Sequence, residues 1–128
     1  MGVRSAKELI VYRKSYAIAM RIFEVSKRFP PEERYGLTSQ IRRCSRSVPM
    51  NLREAWAKRR YEAHVVSKLT DCDAENAETD TALDFAKDCQ YISAELHQEL
   101  VGQCAEVAKM LTSMIQHPHK FLLKPPKA

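Results

Sequence analysis

Glycine and tryptophan are scarce in this chain of 128 residues, at three and one respectively, and no β-branched run alternates strictly with polar residues. A sheet has little to be built from, so the periodicity has to be helical. No uncharged stretch approaches the ~18 residues that a membrane span requires. Residues 1–9 carry Arg4, Lys7 and Glu8 before any apolar run, which gives no signal peptide. The four cysteines, Cys44, Cys72, Cys89 and Cys104, form no C-x-x-C, so neither a zinc knuckle nor a dithiol redox pair is suggested. Each falls on or near a helical stripe, where a thiol acts as a small apolar residue. A reduced, cytoplasmic protein without membrane contact is expected.

Catalytic and metal-binding patterns are missing as well. Helical bundles that hold two metal ions use E-x-x-H pairs, and none occurs. His64, His97, His117 and His119 include no i,i+4 pair. There is no P-loop, dinucleotide fingerprint or Ser-His-Asp order. The expectation is a protein that is not an enzyme, with no cofactor and no metal.

Apolar residues make up 45% of the chain and charged residues 29%, an ordinary globular balance for one domain. The pattern predicts an antiparallel up-down four-helix bundle over residues 1–117, with helices at about 6–29, 37–60, 62–90 and 94–116. A mobile basic tail is expected over 118–128. Ser5 with Glu8 reads as a capping box, Pro30-Pro31 as a stop, and Ser93 as an N-cap. Pro49 is expected to kink or divide helix 2. Inward faces read Leu37, Ile41, Cys44, Val48, Leu52, Ala55 in helix 2 and Leu96, Leu100, Cys104, Val107, Leu111, Met114 in helix 4. Helix 3 has a polar inward stripe: Val65, Leu69, Cys72, Asn76, Thr79 or Asp80, Leu83, Ala86.

Helix 1 carries two apolar stripes. Leu9, Tyr12, Tyr16, Met20 and Phe23 form one, and Val11, Ile18, Ile22, Val25 and Phe29 lie roughly opposite. Either both are buried within the protomer or the second is covered by another copy. Each helix of a four-helix bundle keeps a solvent side, so self-association through Val11, Ile18, Ile22, Val25 and Phe29 is the better explanation.

Charge is segregated along the chain. Residues 37–60 hold seven Lys/Arg against one acid, and residues 61–90 hold two against eight. Arg42, Arg46, Arg53 and Arg60 fall within about 40° of one another at 100° per residue, flanked by Arg43, Lys58 and Arg59. Arginine forks suit phosphate oxygens, so this row is a candidate nucleic-acid site for RNA or DNA. The competing reading pairs it with helix 3, where Asp73, Asp80 and Asp84 share one side. No aromatic residue interleaves the row, so a single-strand stacking platform is not indicated.

The block Tyr35-Gly-Leu-Thr-Ser-Gln-Ile-Arg-Arg-Cys44, then Ser47-Val-Pro-Met-Asn-Leu52 and Ala86-Lys-Asp-Cys-Gln-Tyr-Ile92, is distinctive. It resembles the bacterial four-helix-bundle family first noted in intervening sequences of large-subunit ribosomal RNA genes. That family includes the accessory proteins of diversity-generating retroelements. The resemblance implies a homopentameric ring with a basic surface and, for the retroelement proteins, nucleic-acid binding and association with a reverse transcriptase. Arg42, Arg43, Asn51, Glu54, Arg59, Arg60 and Glu78 fall where the family has the same or similar residues. The family's small-E-G-aromatic-G reads here Arg53-Glu54-Ala55-Trp56-Ala57; alanine for both glycines stiffens the helix.

Overall fold

Ser5 and Glu8 do cap the start of the described chain, but they cap one 3-10 turn, Ala6–Glu8, rather than a long helix. The Ser5 hydroxyl accepts from the Lys7 amide at 3.2 Å, and Glu8 Oε2 from the Arg4 amide at 2.8 Å. Leu9 is extended, so helix α1 begins at Ile10 and runs to Ser26. The computed structural model describes residues 3–122 and contains three further helices: α2 (Leu37–Ala57), α3 (Glu62–Asp88) and α4 (Ala94–Gln116). No strand occurs among the described residues. No helix among them is long and apolar enough to cross a membrane.

Each connection has a local cause. Pro30 keeps Phe29 out of the helical region, and a 3-10 turn, Pro31–Glu33, leads into α2. Glu33 supplies the cap that Gly36 cannot: its Oε1 accepts from the Leu37 amide at 3.0 Å, and its Oε2 from the Tyr91 hydroxyl at 2.9 Å. A Cβ on Gly36 would lie 2.8 Å from Glu33 Oε1, so the capping carboxylate depends on glycine at that position. At the end of α3, Gln90 takes the left-handed conformation at φ 66°. The Tyr91 amide then reaches the Ala86 carbonyl at 2.8 Å and the Gln90 amide reaches Lys87 at 2.9 Å, a Schellman cap. Ser93 caps α4 by accepting from the Leu96 amide at 3.1 Å.

Pro49 lies inside α2, which continues unbroken, so the helix is not divided there. Asp80, left open against Thr79 for the inward stripe of α3, is only half-buried; Thr79 takes the buried position. Its hydroxyl donates to the Glu75 carbonyl at 2.8 Å, and Asn76 Nδ2 donates to the Cys104 carbonyl at 2.9 Å, so both buried polar groups of α3 are satisfied. Inter-helix partners run in opposite senses. Arg43 meets Glu78 while Glu54 meets Lys68, and Lys14 meets Glu106 while Arg21 meets Glu99.

Two expectations are corrected. Val11, Ile18, Ile22 and Phe29 are buried in the protomer's own core, with Val25 packed against it, so they are not a surface for another copy. Small residues on the same face, Ser15, Ala19 and Ser26, are buried with them. That lets the aliphatic stripe approach its neighbours closely, and the Tyr/Met stripe is left to face outward. The tail expected from 118 is ordered further: Pro118–Lys120 form a 3-10 turn, and Phe121 and Leu122 pack against the core. The remainder of that tail lies outside the described residues.

Candidate nucleic-acid interface

The arginines of α2 divide between its two neighbours. Toward α3, Arg43 Nη2 lies 2.6 Å from Glu78 Oε2 and Nη1 lies 3.6 Å from Glu75 Oε2. The second distance is an attraction between charges without a hydrogen bond. Beside it Lys68 Nζ reaches back to Glu54 at 2.7 Å and to Asp71 at 3.6 Å. These partners raise the pKa of the Arg43 guanidinium, through Glu78 first, and of the Lys68 ammonium, through its bond to Glu54.

Toward α1 the arrangement is different. Arg42 Nε donates to the Ser26 hydroxyl at 2.7 Å, and its guanidinium lies over the Phe23 ring at 4.8 Å. Arg46 lies over the same ring at 5.5 Å, and Lys27 Nζ at 4.8 Å. Arg53, exposed, reaches the Ser5 hydroxyl at 3.5 Å. Among the described residues no carboxylate lies within 4 Å of Arg42, Arg46, Arg53 or Arg60. Cations gathered on one ring without an anion leave their charge to solvent or to a ligand.

The predicted row is shortened at its far end. Because α2 stops at Ala57, Arg59 and Arg60 sit in the following turn, where the 100° rule no longer applies. Arg59 is half-buried: its Nε donates to the Trp56 carbonyl at 2.8 Å, its guanidinium stacks 3.6 Å from the Trp56 ring centroid, and burial lowers its pKa. Arg60 is exposed. Ala55, one of the two alanines standing for glycine, is buried in the core, and Ala57 is exposed.

The acidic ridge of α3 does not face the arginine row. Asp84 lies 2.7 Å from His97 Nε2 on α4, and Asp80, its pKa raised by burial and then by Asp84, sits near the same histidine. Only Glu75, Glu78 and Asp71, with Glu54 of α2 itself, take part in the pairing on the α3 side.

Sequence reasoning missed the aromatic side of the row. Helix α1 brings Tyr12, Tyr16, Met20 and Phe23 alongside Arg46, Pro49 and Met50, and a shallow groove of about 240 Å³ runs between them. Tyr16 is 52% exposed, Met20 47% and Met50 65%. The signal was the stripe Tyr12, Tyr16, Met20, Phe23, which periodicity identified but placed inward.

The block of residues that includes Arg42 and Arg43 lies within residues 7–113, which match a family model described as 23S rRNA-intervening sequence protein. The chain belongs to this family. A solved structure of the S23 ribosomal protein family from Bacteroides thetaiotaomicron VPI-5482, described as a protein with unknown function, is similar throughout. It is 29% identical, with a TM-score of 0.76 over 84% of this chain and 96% of that one. Comparison with curated proteins finds no match. In this member of the intervening-sequence family, the α1-facing arginines are the basic groups that the protomer leaves without a carboxylate.

Proposed function

We propose that the chain is a non-enzymatic, oligomeric bundle protein that binds nucleic acid, or a nucleic-acid-handling protein, through the basic face of α2. One observation carries this reading: Arg42, Arg46 and Arg53 have no carboxylate within ion-pair distance among the described residues, whereas Arg43 and Lys68 do. Had the basic segment served only internal pairing, the whole row would face acids. Binding is to the phosphate backbone, steep in salt and weak in sequence preference. Titrating labelled RNA and DNA at ~50 and ~200 mM salt tests it: affinity falls sharply at the higher salt. Arg46→Gln with Arg53→Gln abolishes binding while leaving assembly intact. Absence of binding at low salt removes this reading.

The scaffold alternative, a protein whose charges serve ring assembly, draws on Phe85, 60% exposed on α3 between Asp84 and Asp88. An uncovered aromatic in an acidic surface fits a second copy's basic side. A pentameric ring is the assembly we propose, read by mass measurement in solution; Phe85→Asp reduces it to smaller species. A reverse transcriptase is the protein partner the family resemblance suggests, tested by co-purification. The opposite running of inter-helix partners supports an antiparallel up-down bundle, with a bend at Pro49. The non-enzymatic reading draws on the thiols: burial pushes Cys72 and Cys104 up to about 12, far from a nucleophile's range. Free thiols at all four cysteines suit the cytoplasm.

A further inference from the structure

We infer that the groove between α1 and α2 takes single-stranded nucleic acid, with bases stacked on Tyr16 and Met20 and phosphates held by Arg46 and Arg53. This rests on reading the basic face of α2 as a nucleic-acid site and narrows it to one form of ligand.

The platform is built from both helices. The Tyr12 and Tyr16 rings lie close to parallel, with centroids 6.0 Å apart and 26° between planes. Tyr12 is half-buried and anchors the pair; Tyr16 is exposed and offers a face. Met20 and Met50 extend that surface, and a thioether adapts to a planar aromatic partner. At one end Phe23 carries Arg42 and Arg46; near the other stands Arg53 beside Ser5. From Tyr12 to Phe23 the stripe extends ~16 Å along the helix. Aromatic faces alternating with arginines are what a single strand needs, because every base has a π-face and every linkage a charge.

A duplex does not use this surface. Its base faces are hidden in the stack, so it would press a phosphate ridge against Met20 and Met50, leaving their apolar surface unmatched. An acidic protein helix, ~10–12 Å across, does not seat in a groove of about 240 Å³. A flat base does. A single strand can turn its bases inward and its phosphates to the arginine rim.

The test is fluorescence anisotropy of labelled oligo(dT) and oligo(U) against a duplex of matched length, using the whole protein at ~50 and ~200 mM salt. The single strands bind about tenfold tighter than the duplex. Tyr16→Ala removes about tenfold of single-strand affinity and leaves duplex binding and the salt slope unchanged, while Tyr16→Phe restores it. Arg46→Gln weakens both forms and lowers the single-strand salt slope by about 0.7. Tyr16 is exposed, so its variants keep the wild-type melting temperature, which serves as the folding control. Equal affinity for both forms, unmoved by Tyr16→Ala, overturns this inference and leaves the phosphate reading standing. No binding of either form at low salt overturns both. A fall in solution mass on Tyr16→Ala means that a second copy covers the groove, and the inference fails.

Discussion

On its α3 side, helix α2 sets Arg43 2.6 Å from Glu78. On its α1 side, Arg42 and Arg46 lie 4.8 and 5.5 Å from the Phe23 centroid and meet no carboxylate. One residue type on one helix is thus neutralised at one seam and held in position, still charged, at the other. A carboxylate partner fixes an arginine but cancels its field. An aromatic face fixes it and leaves the field available. Net charge alone would have counted both kinds equally as a binding surface; only the α1 seam offers charge to a ligand.

The largest effect comes from breaking the apolar part of the α1 seam. Ile22 is 1% exposed, and Ile22→Ala costs about 2–5 kcal/mol by urea unfolding. The solution mass of the assembly stays as it was at protein concentrations where the variant is folded. Should the assembly dissociate while stability holds, the stripe from Val11 to Phe29 is an interface after all.

Arg42→Ala comes next. It removes a charge-assisted bond to the buried Ser26 hydroxyl and the contact with Phe23. The loss is about 1–2 kcal/mol. Ser26 keeps its bond to the Phe23 carbonyl at 3.0 Å, which limits the cost. Arg43→Gln breaks the other seam and costs less, under ~1 kcal/mol, because the pair is exposed and screened. Repeating both melts in ~1 M salt sharpens the comparison: the Arg43 effect disappears and most of the Arg42 effect remains.

How much of this could be read from the residues differs by helix. Leu37, Ile41, Cys44, Val48, Leu52 and Ala55 are all buried, because α2 has a single apolar face and spacing alone identifies it. The polar stripe of α3 was legible down to Asn76 and Thr79. Helix α1 was not, since two stripes of similar hydrophobicity carry no sign saying which is inside. The deciding residues were the small ones, Ser15, Ala19 and Ser26, whose size permits close packing and whose hydroxyls bond their own helix, Ser15 to the Tyr12 carbonyl at 3.1 Å. Arg60 was placed on the row by a rotation rule carried past the helix end. The aromatic groups beside Arg46 belong to another helix, and no periodicity within α2 could have shown them.

Acid should separate the two seams with the smallest perturbation. The Glu54 carboxyl is held below the usual carboxylate range by the hydrogen bond from Lys68, then by that ammonium's charge. Near the ordinary glutamate value the unfolded chain therefore binds more protons than the folded one. The contribution of this pair is present above that value and is lost as pH falls through the depressed one. Lys68 works in the opposite sense: its raised pKa means the contribution fades only as pH climbs past the ordinary lysine range. Between those limits both partners are charged. The arginines at the α1 seam face no titrating carboxylate, so their contacts with Phe23 and Ser26 persist into acid. Hydrogen exchange measured across the acid range reads this directly. Amides of α3 near Lys68 lose protection first, those of α1 near Phe23 later, and Lys68→Met removes the difference. If both seams loosen together, arginine at the α1 side depends on an acid as well, and its charge is not free for a phosphate.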